Sequence, residues 1–135
     1  MLFSEMAVGD TAAVSKTFTG ADINAFIELT GDANPLHLEG PYAAESRFGG
    51  RITHGMLTAG LLSTLLGMHL PGTGALYMEQ SLRFTAPVRP GDTITARAKV
   101  LELIPARMQV RIRTVCVNQR NETVLEGEAR MRMLA

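Results

Sequence analysis

Two hydrophobic periods divide the chain: apolar residues recur at helical spacing in the first half and alternate with polar ones in the second. Val8-Gly9-Asp10 reads as a turn and Ala12 to Thr17 as a short strand. Thr19 then stands as an N-cap with Asp22 three residues on, and Ile23, Phe26, Ile27 and Thr30 share one face of a helix ending at Thr30. Pro41 to Arg47 reads as a short helix with Pro41 in its first turn, broken by Gly49-Gly50. His54-Gly55 opens the longest apolar helix, about Met56 to Leu70, and Pro71-Gly72 stops it. Its large residues (Met56, Leu57, Leu61, Leu62, Leu65, Leu66, Met68) surround the small Ala59, Gly60, Ser63 and Gly67. Being apolar on most faces, it is expected to be buried.

Four alternating runs follow. Leu76, Met78, Gln80, Leu82 and Phe84 alternate with Tyr77, Glu79, Ser81 and Arg83, and Ile94, Ala96, Ala98 and Val100 with Thr95, Arg97 and Lys99. Met108, Val110 and Ile112 alternate with Gln109, Arg111 and Arg113, and Leu125, Gly127, Ala129, Met131 and Met133 with charged residues. Each reads as a long strand with one solvated face, with turns at Pro90-Gly91-Asp92 and around Asn121. Helices followed by a run of antiparallel strands predict an α+β fold, one buried helix with a long curved sheet around it. Such a sheet has two edges, so pairing with a second copy is a natural remedy.

Composition narrows the function classes. A chain of 135 residues is expected to form one domain, residues 1–135, with 46% hydrophobic and 19% charged residues suiting a globular core. The zero formal net charge favours neither nucleic acid nor an anionic membrane. Eleven of the thirteen basic residues are arginine, whose fork suits phosphate and carboxylate, although arginines on exposed strand faces need no ligand to explain them. Cys116 is the one cysteine, so no intrachain disulfide forms, and its position in an alternating run makes it a core residue. No basic, apolar leader opens the chain and no apolar run reaches a membrane span, so the default expectation is a soluble cytoplasmic protein.

The densest chemistry lies in Leu29-Thr30-Gly31-Asp32-Ala33-Asn34-Pro35-Leu36-His37. Pro35 keeps the segment out of helix and Gly31 permits a sharp turn, so a constrained loop can aim the Asp32 carboxylate and the His37 imidazole at one small volume. That pairing suits activation of a water, against the plainer reading of an Asx-turn and a surface imidazole. Asn34 is either a turn residue or an amide that orients the acid or the water. Gly55, at the start of the apolar helix, offers an N–H without an intrahelical partner, reinforced by the helix dipole, to a developing oxyanion; an ordinary helix start is the alternative. His54 reads as a capping or packing residue rather than the base. Ser63 is either a small packing residue or the polar lining of a narrow tunnel, and no G-x-S-x-G elbow makes it a nucleophile. Metal binding has little support: three histidines, no H-E-x-x-H and no paired cysteines.

Phe26 to His37, F-I-E-L-T-G-D-A-N-P-L-H, resembles the signature of the MaoC-like hydratases, specifically the short (R)-specific enoyl-CoA hydratases. Ile52 to Leu57 resembles the start of that family's central helix, and Gln80 to Phe84 with Pro87 to Thr93 its following strand and turn. Glu39 stands where many relatives carry Asp. The resemblance covers essentially the whole chain and implies a hot-dog fold, a long central helix wrapped by a curved antiparallel sheet, assembled as a homodimer or a dimer of dimers. It implies Asp32 and His37 as the catalytic pair, Gly55 as the oxyanion donor and Ser63 in the acyl pocket, with Asn34 and Leu66 as further substrate-binding candidates. The implied reaction hydrates trans-2-enoyl-CoA to (R)-3-hydroxyacyl-CoA, a step that in relatives often feeds polyhydroxyalkanoate synthesis from β-oxidation intermediates. The coenzyme A thioester is the substrate, and no separate cofactor or metal is expected.

Arg51, Arg83 and Arg89 are candidates to meet coenzyme A phosphates. Leu62, Leu65, Leu66 and the strand methionines can narrow or open the pocket, with short to medium acyl chains expected. A hot-dog acyl-CoA thioesterase is the main enzymatic alternative, but many of those place an acid on the central helix, and no Asp or Glu lies between His54 and His69. A dehydratase of 3-hydroxyacyl-carrier-protein would differ only in its carrier. A non-catalytic acyl-binding module fits poorly with the presence of both Asp32 and His37.

Overall fold

The computed structural model describes all residues, Met1–Ala135. Strand β1 (Thr11–Thr17) leads into helix α1 (Gly20–Thr30). Thr19 caps that helix as the sequence predicts: its hydroxyl accepts the Asp22 N–H at 3.2 Å and the Asp22 carboxylate accepts the Thr19 N–H at 2.9 Å. The backbone hydrogen bond from Thr19 holds the Asp22 carboxyl below the usual carboxylate range. A 3-10 turn, Pro35–His37, and the short helix α2 (Pro41–Ala44) connect to helix α3 (Gly55–Met68). Five strands follow: β2 (Ala75–Gln80), β3 (Arg83–Phe84), β4 (Thr93–Ile104), β5 (Gln109–Val117) and β6 (Thr123–Met133).

The strands pair antiparallel in the order β1-β4-β5-β6-β2, with β3 also on β6, so β1 and β2 are the open edges. The predicted inward residues of β4, β5 and β6 face inward: Ile94, Ala96, Ala98, Val100, Val110, Ile112, Leu125, Ala129 and Met131 are buried. They meet Leu61, Leu62, Leu65 and Leu66 of α3 in one continuous core. Cys116 is buried in it, and burial pushes its thiol up to about 12. A sheet wrapped on one long helix is the hot-dog fold. No helix is long and apolar enough to cross a membrane.

Three expectations need correction. The run from Leu76 to Phe84 is not one long strand: β2 stops at Gln80 and β3 has two residues. Its inner face is also the opposite one, with Leu76 49% and Met78 46% exposed while Tyr77 turns inward and donates its hydroxyl hydrogen to Gln80 Oε1. A bulge between Tyr77 and Glu79 adds a residue against β6 and brings Gln80 back to the inner face, where it donates to Thr114 Oγ1 at 3.0 Å. Helix α2 ends at Ala44 rather than Arg47, because the Ser46 hydroxyl bonds to the Ala43 carbonyl and the Phe48 N–H. Helix α3 is buried on one side only: the sheet covers one face, leaving Met56, Gly60, Ser63, Thr64, Gly67 and Met68 exposed on the other.

Candidate active site

Helix α1 ends in a left-handed residue, Gly31 at φ 81°, whose N–H closes on the Ile27 carbonyl at 2.7 Å. The chain then turns through short side-chain bonds of its own. The Asp32 N–H donates to Thr30 Oγ1 (3.2 Å), the Asn34 N–H to Asp32 Oδ1 (3.3 Å) and the Leu36 N–H to Asn34 Oδ1 (3.0 Å). Pro35 opens the 3-10 turn that presents His37. The Ile52 N–H donates to the Leu36 carbonyl at 3.1 Å, and His37 Nδ1 lies 2.8 Å from the Ile52 carbonyl oxygen. A carbonyl oxygen only accepts, so Nδ1 carries the hydrogen and, in the neutral ring, Nε2 is left as an acceptor.

The segment before α3 is anchored from the other side, where the Thr53 N–H donates to the Val88 carbonyl at 2.7 Å. One cavity, about 450 Å³, is lined by Asp32, His37, Thr53, His54, Gly55 and Thr58. Ile52, Met56, Phe84, Val88 and Val124 give it an apolar wall, and Arg47 adds a cation. Gly55 is the first residue of α3, where the backbone N–H has no partner within the helix and the dipole adds positive potential. The Phe84 ring covers it so closely that a Cβ there would lie 2.6 Å from Cε1.

The structure thus brings Asp32, His37 and Gly55 to one cavity and leaves the other three candidates out of its lining. Asn34 spends its side-chain oxygen on the Leu36 N–H. Ser63 lies on the exposed face of α3, and Leu66 is wholly buried among core residues. Of the arginines, Arg51 is taken up by the fold: its guanidinium binds Asn24 Oδ1 (2.9 Å), reaches the His37 carbonyl (3.5 Å) and pairs with Glu39 (3.6 Å). Arg83 lines a separate shallow cleft, and Arg89 donates to the Phe48 carbonyl. Sequence reasoning passed over Arg47, Thr53, Thr58 and Phe84 as lining residues; only their flanking of the named motifs could have pointed to them. His54 makes no capping bond with its side chain and is packed beneath His37 instead.

Asp32, His37 and His54 are also the one cluster whose donor atoms, all within 4.8 Å of one another, could hold a metal ion. The two imidazoles stack with centroids 3.8 Å apart and planes at 26°, so their in-plane lone pairs run side by side rather than converging. One nitrogen of each is already committed to a backbone carbonyl. The set suits a site where an acid and a neutral imidazole accept from one water better than a tetrahedral cage.

Residues 7–125 match the MaoC like domain family. The chain is 46% identical over 129 residues to a 3-hydroxybutyryl-CoA dehydratase of Methylorubrum extorquens, covering 96% of this chain and 82% of that one. It is 41% identical over 129 residues to the (R)-specific enoyl-CoA hydratase of Aeromonas caviae, covering 96% of both. The unliganded R-hydratase PhaJ1 from Pseudomonas aeruginosa superposes with a TM-score of 0.93 at 39% identity, over 98% of this chain and 84% of that one.

Proposed function

The chain belongs to the MaoC-like domain family, and from that premise we propose that it adds water to the double bond of a trans-2-enoyl-CoA to give the (R)-3-hydroxyacyl-CoA, and catalyses the reverse dehydration. It is an enzyme of the hydro-lyase class. The observation that carries the mechanistic reading is that Asp32, His37 and Gly55, the first residue of α3, line one cavity.

Hydration of a conjugated thioester poses two problems: water is a weak nucleophile, and the thioester oxygen gains negative charge. The Asp32 carboxylate and His37 Nε2 each accept one hydrogen of the same water, which leaves an oxygen lone pair free to attack the β-carbon. The Gly55 N–H and the α3 dipole stabilise the enolate oxygen as the carbon–carbon π bond breaks. The proton taken from water ends on the α-carbon, so one water is consumed and no redox change occurs. Helix α3 carries no Asp or Glu, which weighs against a thioesterase with its acid there.

The open edge of β2, with Leu76 and Met78 exposed on it, and the uncovered face of α3 favour a homodimer. The (R)-3-hydroxyacyl-CoA product has the form needed for polyhydroxyalkanoate synthesis, and we assign the enzyme to that supply from β-oxidation intermediates. The test is hydration of crotonyl-CoA, followed as loss of the conjugated-thioester absorbance, with chiral analysis of the product. Asp32→Asn and His37→Ala are each expected to lower turnover at least ~100-fold. Near-normal turnover by either folded variant overturns the assignment. Faster turnover of the carrier-protein thioester than of the CoA ester would make the enzyme a carrier-protein dehydratase, and release of free thiol a thioesterase.

A further inference from the structure

We infer that His54 is a positioning residue that sets Asp32, His37 and the Gly55 N–H as one unit, an inference that rests on the reading of Asp32 and His37 as the water-activating pair. His54 Nε2 lies 3.0 Å from the Asp32 carbonyl oxygen. That oxygen only accepts, so Nε2 carries the hydrogen, and Nδ1 is left buried with no partner. His54 itself is 2% exposed.

Two of this ring's partners, Asp32 and His37, line the site cavity with it. His37 stacks on it at 3.8 Å, and the Phe26 ring from α1 packs against it at 4.7 Å. The backbone of His54 is the N-cap of α3, its carbonyl accepting the Thr58 N–H at 3.2 Å, and the next N–H along is that of Gly55. Asp32 has otherwise only local bonds, to Thr30 and Asn34 within its own loop. The Nε2–H bond therefore ties the acid to the helix that carries the oxyanion donor. The stack fixes the plane of His37, whose own Nδ1–H is spent on Ile52, and so leaves Nε2 as the ring's free acceptor. A buried imidazole with one bare nitrogen carries a stability cost that an apolar side chain would avoid only by giving up the bond to the Asp32 carbonyl. Its bond to Asp32 and its stack on His37 give it a use.

The test compares His54→Phe, which keeps an aromatic face and removes the N–H, with His54→Gln, whose amide N–H can stand near the place of Nε2–H. Hydration of crotonyl-CoA by His54→Phe is expected to show kcat lowered about 10- to 100-fold, as a small misplacement of reacting groups does, with KM within about threefold of wild type. His54→Gln is expected to recover most of that kcat. Wild-type kcat in His54→Phe, equal impairment of both variants, or a loss confined to KM overturns the inference. If His54→Phe does not fold, nitrogen-15 spectroscopy of the wild-type imidazoles decides: a protonated Nε2 and bare Nδ1 on His54 support the clamp, and the opposite tautomer overturns it. Full activity in Asp32→Asn or His37→Ala would sink the underlying reading, whereas loss in those two with none in either His54 variant would sink this inference alone.

Discussion

Replacing Gly55 by Ala tests how closely the oxyanion donor is packed. The backbone of Gly55 does not have a positive φ, so alanine brings no dihedral strain there. The new Cβ would instead lie 2.6 Å from Phe84 Cε1, 2.8 Å from Cδ1 and 3.1 Å from Cζ, against about 3.5–4.0 Å for an unstrained carbon contact. The ring must therefore retreat by about 1 Å, or the start of α3 must. Phe84 is 50% exposed on the two-residue strand β3, so the ring yields first and the fold loses on the order of 1 kcal/mol, the low end of an overpacking cost. Activity is more sensitive. Complete loss of an oxyanion donor costs about 2.7–4 kcal/mol, and a displaced N–H beside an intruding ring is expected to lower kcat about 10- to 100-fold. Crotonyl-CoA hydration measures kcat, and urea unfolding measures the stability change. Because the cause is steric, trimming the ring relieves it: Gly55→Ala with Phe84→Ala should regain about tenfold over Gly55→Ala alone, read as a coupling in a double-mutant cycle. A Gly55→Ala enzyme within about twofold of wild-type kcat would refute the reasoning, as would a double mutant no better than the single.

Gly127→Ala should be far more damaging to stability than to chemistry. A Cβ there would collide with the Ser81 carbonyl oxygen, and Ser81 is pinned by bonds between its N–H and the Glu128 carbonyl (2.9 Å) and between its hydroxyl and the Glu128 N–H (2.9 Å). A loss of about 3 kcal/mol is expected in urea unfolding, and an unchanged midpoint would contradict it. Thr19→Ala removes the hydroxyl acceptor of the α1 cap and should cost about 1 kcal/mol with little effect on kcat; a stability unchanged by the substitution would mean the cap is dispensable. At alkaline pH the folded chain retains the Cys116 proton up to about 12, against an ordinary value of 9.0, while the unfolded chain releases it. Burial first, and the nearby Cys116 charge second, likewise push Tyr77 from 10.0 to about 12. The native state then binds more protons, so stability is full below about pH 9 and declines as pH rises toward 12. Unfolding midpoints across that range should fall, less steeply in Cys116→Ala, and a flat profile would be inconsistent with a buried thiol.

The sequence by itself determined what depends on local pattern. Thr19 and Asp22 cap α1 because the two side chains lie within reach of each other's backbone. The alternation of β4, β5 and β6 fixed which residues face α3, because strand side chains change face at every step. Gly31 and Pro35 constrained the loop enough to mark Asp32 and His37 as a pair. The tertiary structure decided everything that depends on register between distant segments. The bulge after Tyr77 turned the inner face of β2 over, which no alternation within that strand reveals. The sheet covers one face of α3, so Ser63 is left outside while Leu66, three residues on, is wholly buried. His54 read as a capping or packing residue in one dimension; only in three does its ring lie under His37 and bond to Asp32, twenty-two residues upstream. Bonds within a turn are set by neighbours the sequence displays, whereas contacts across the core are set by how helix and sheet pack together.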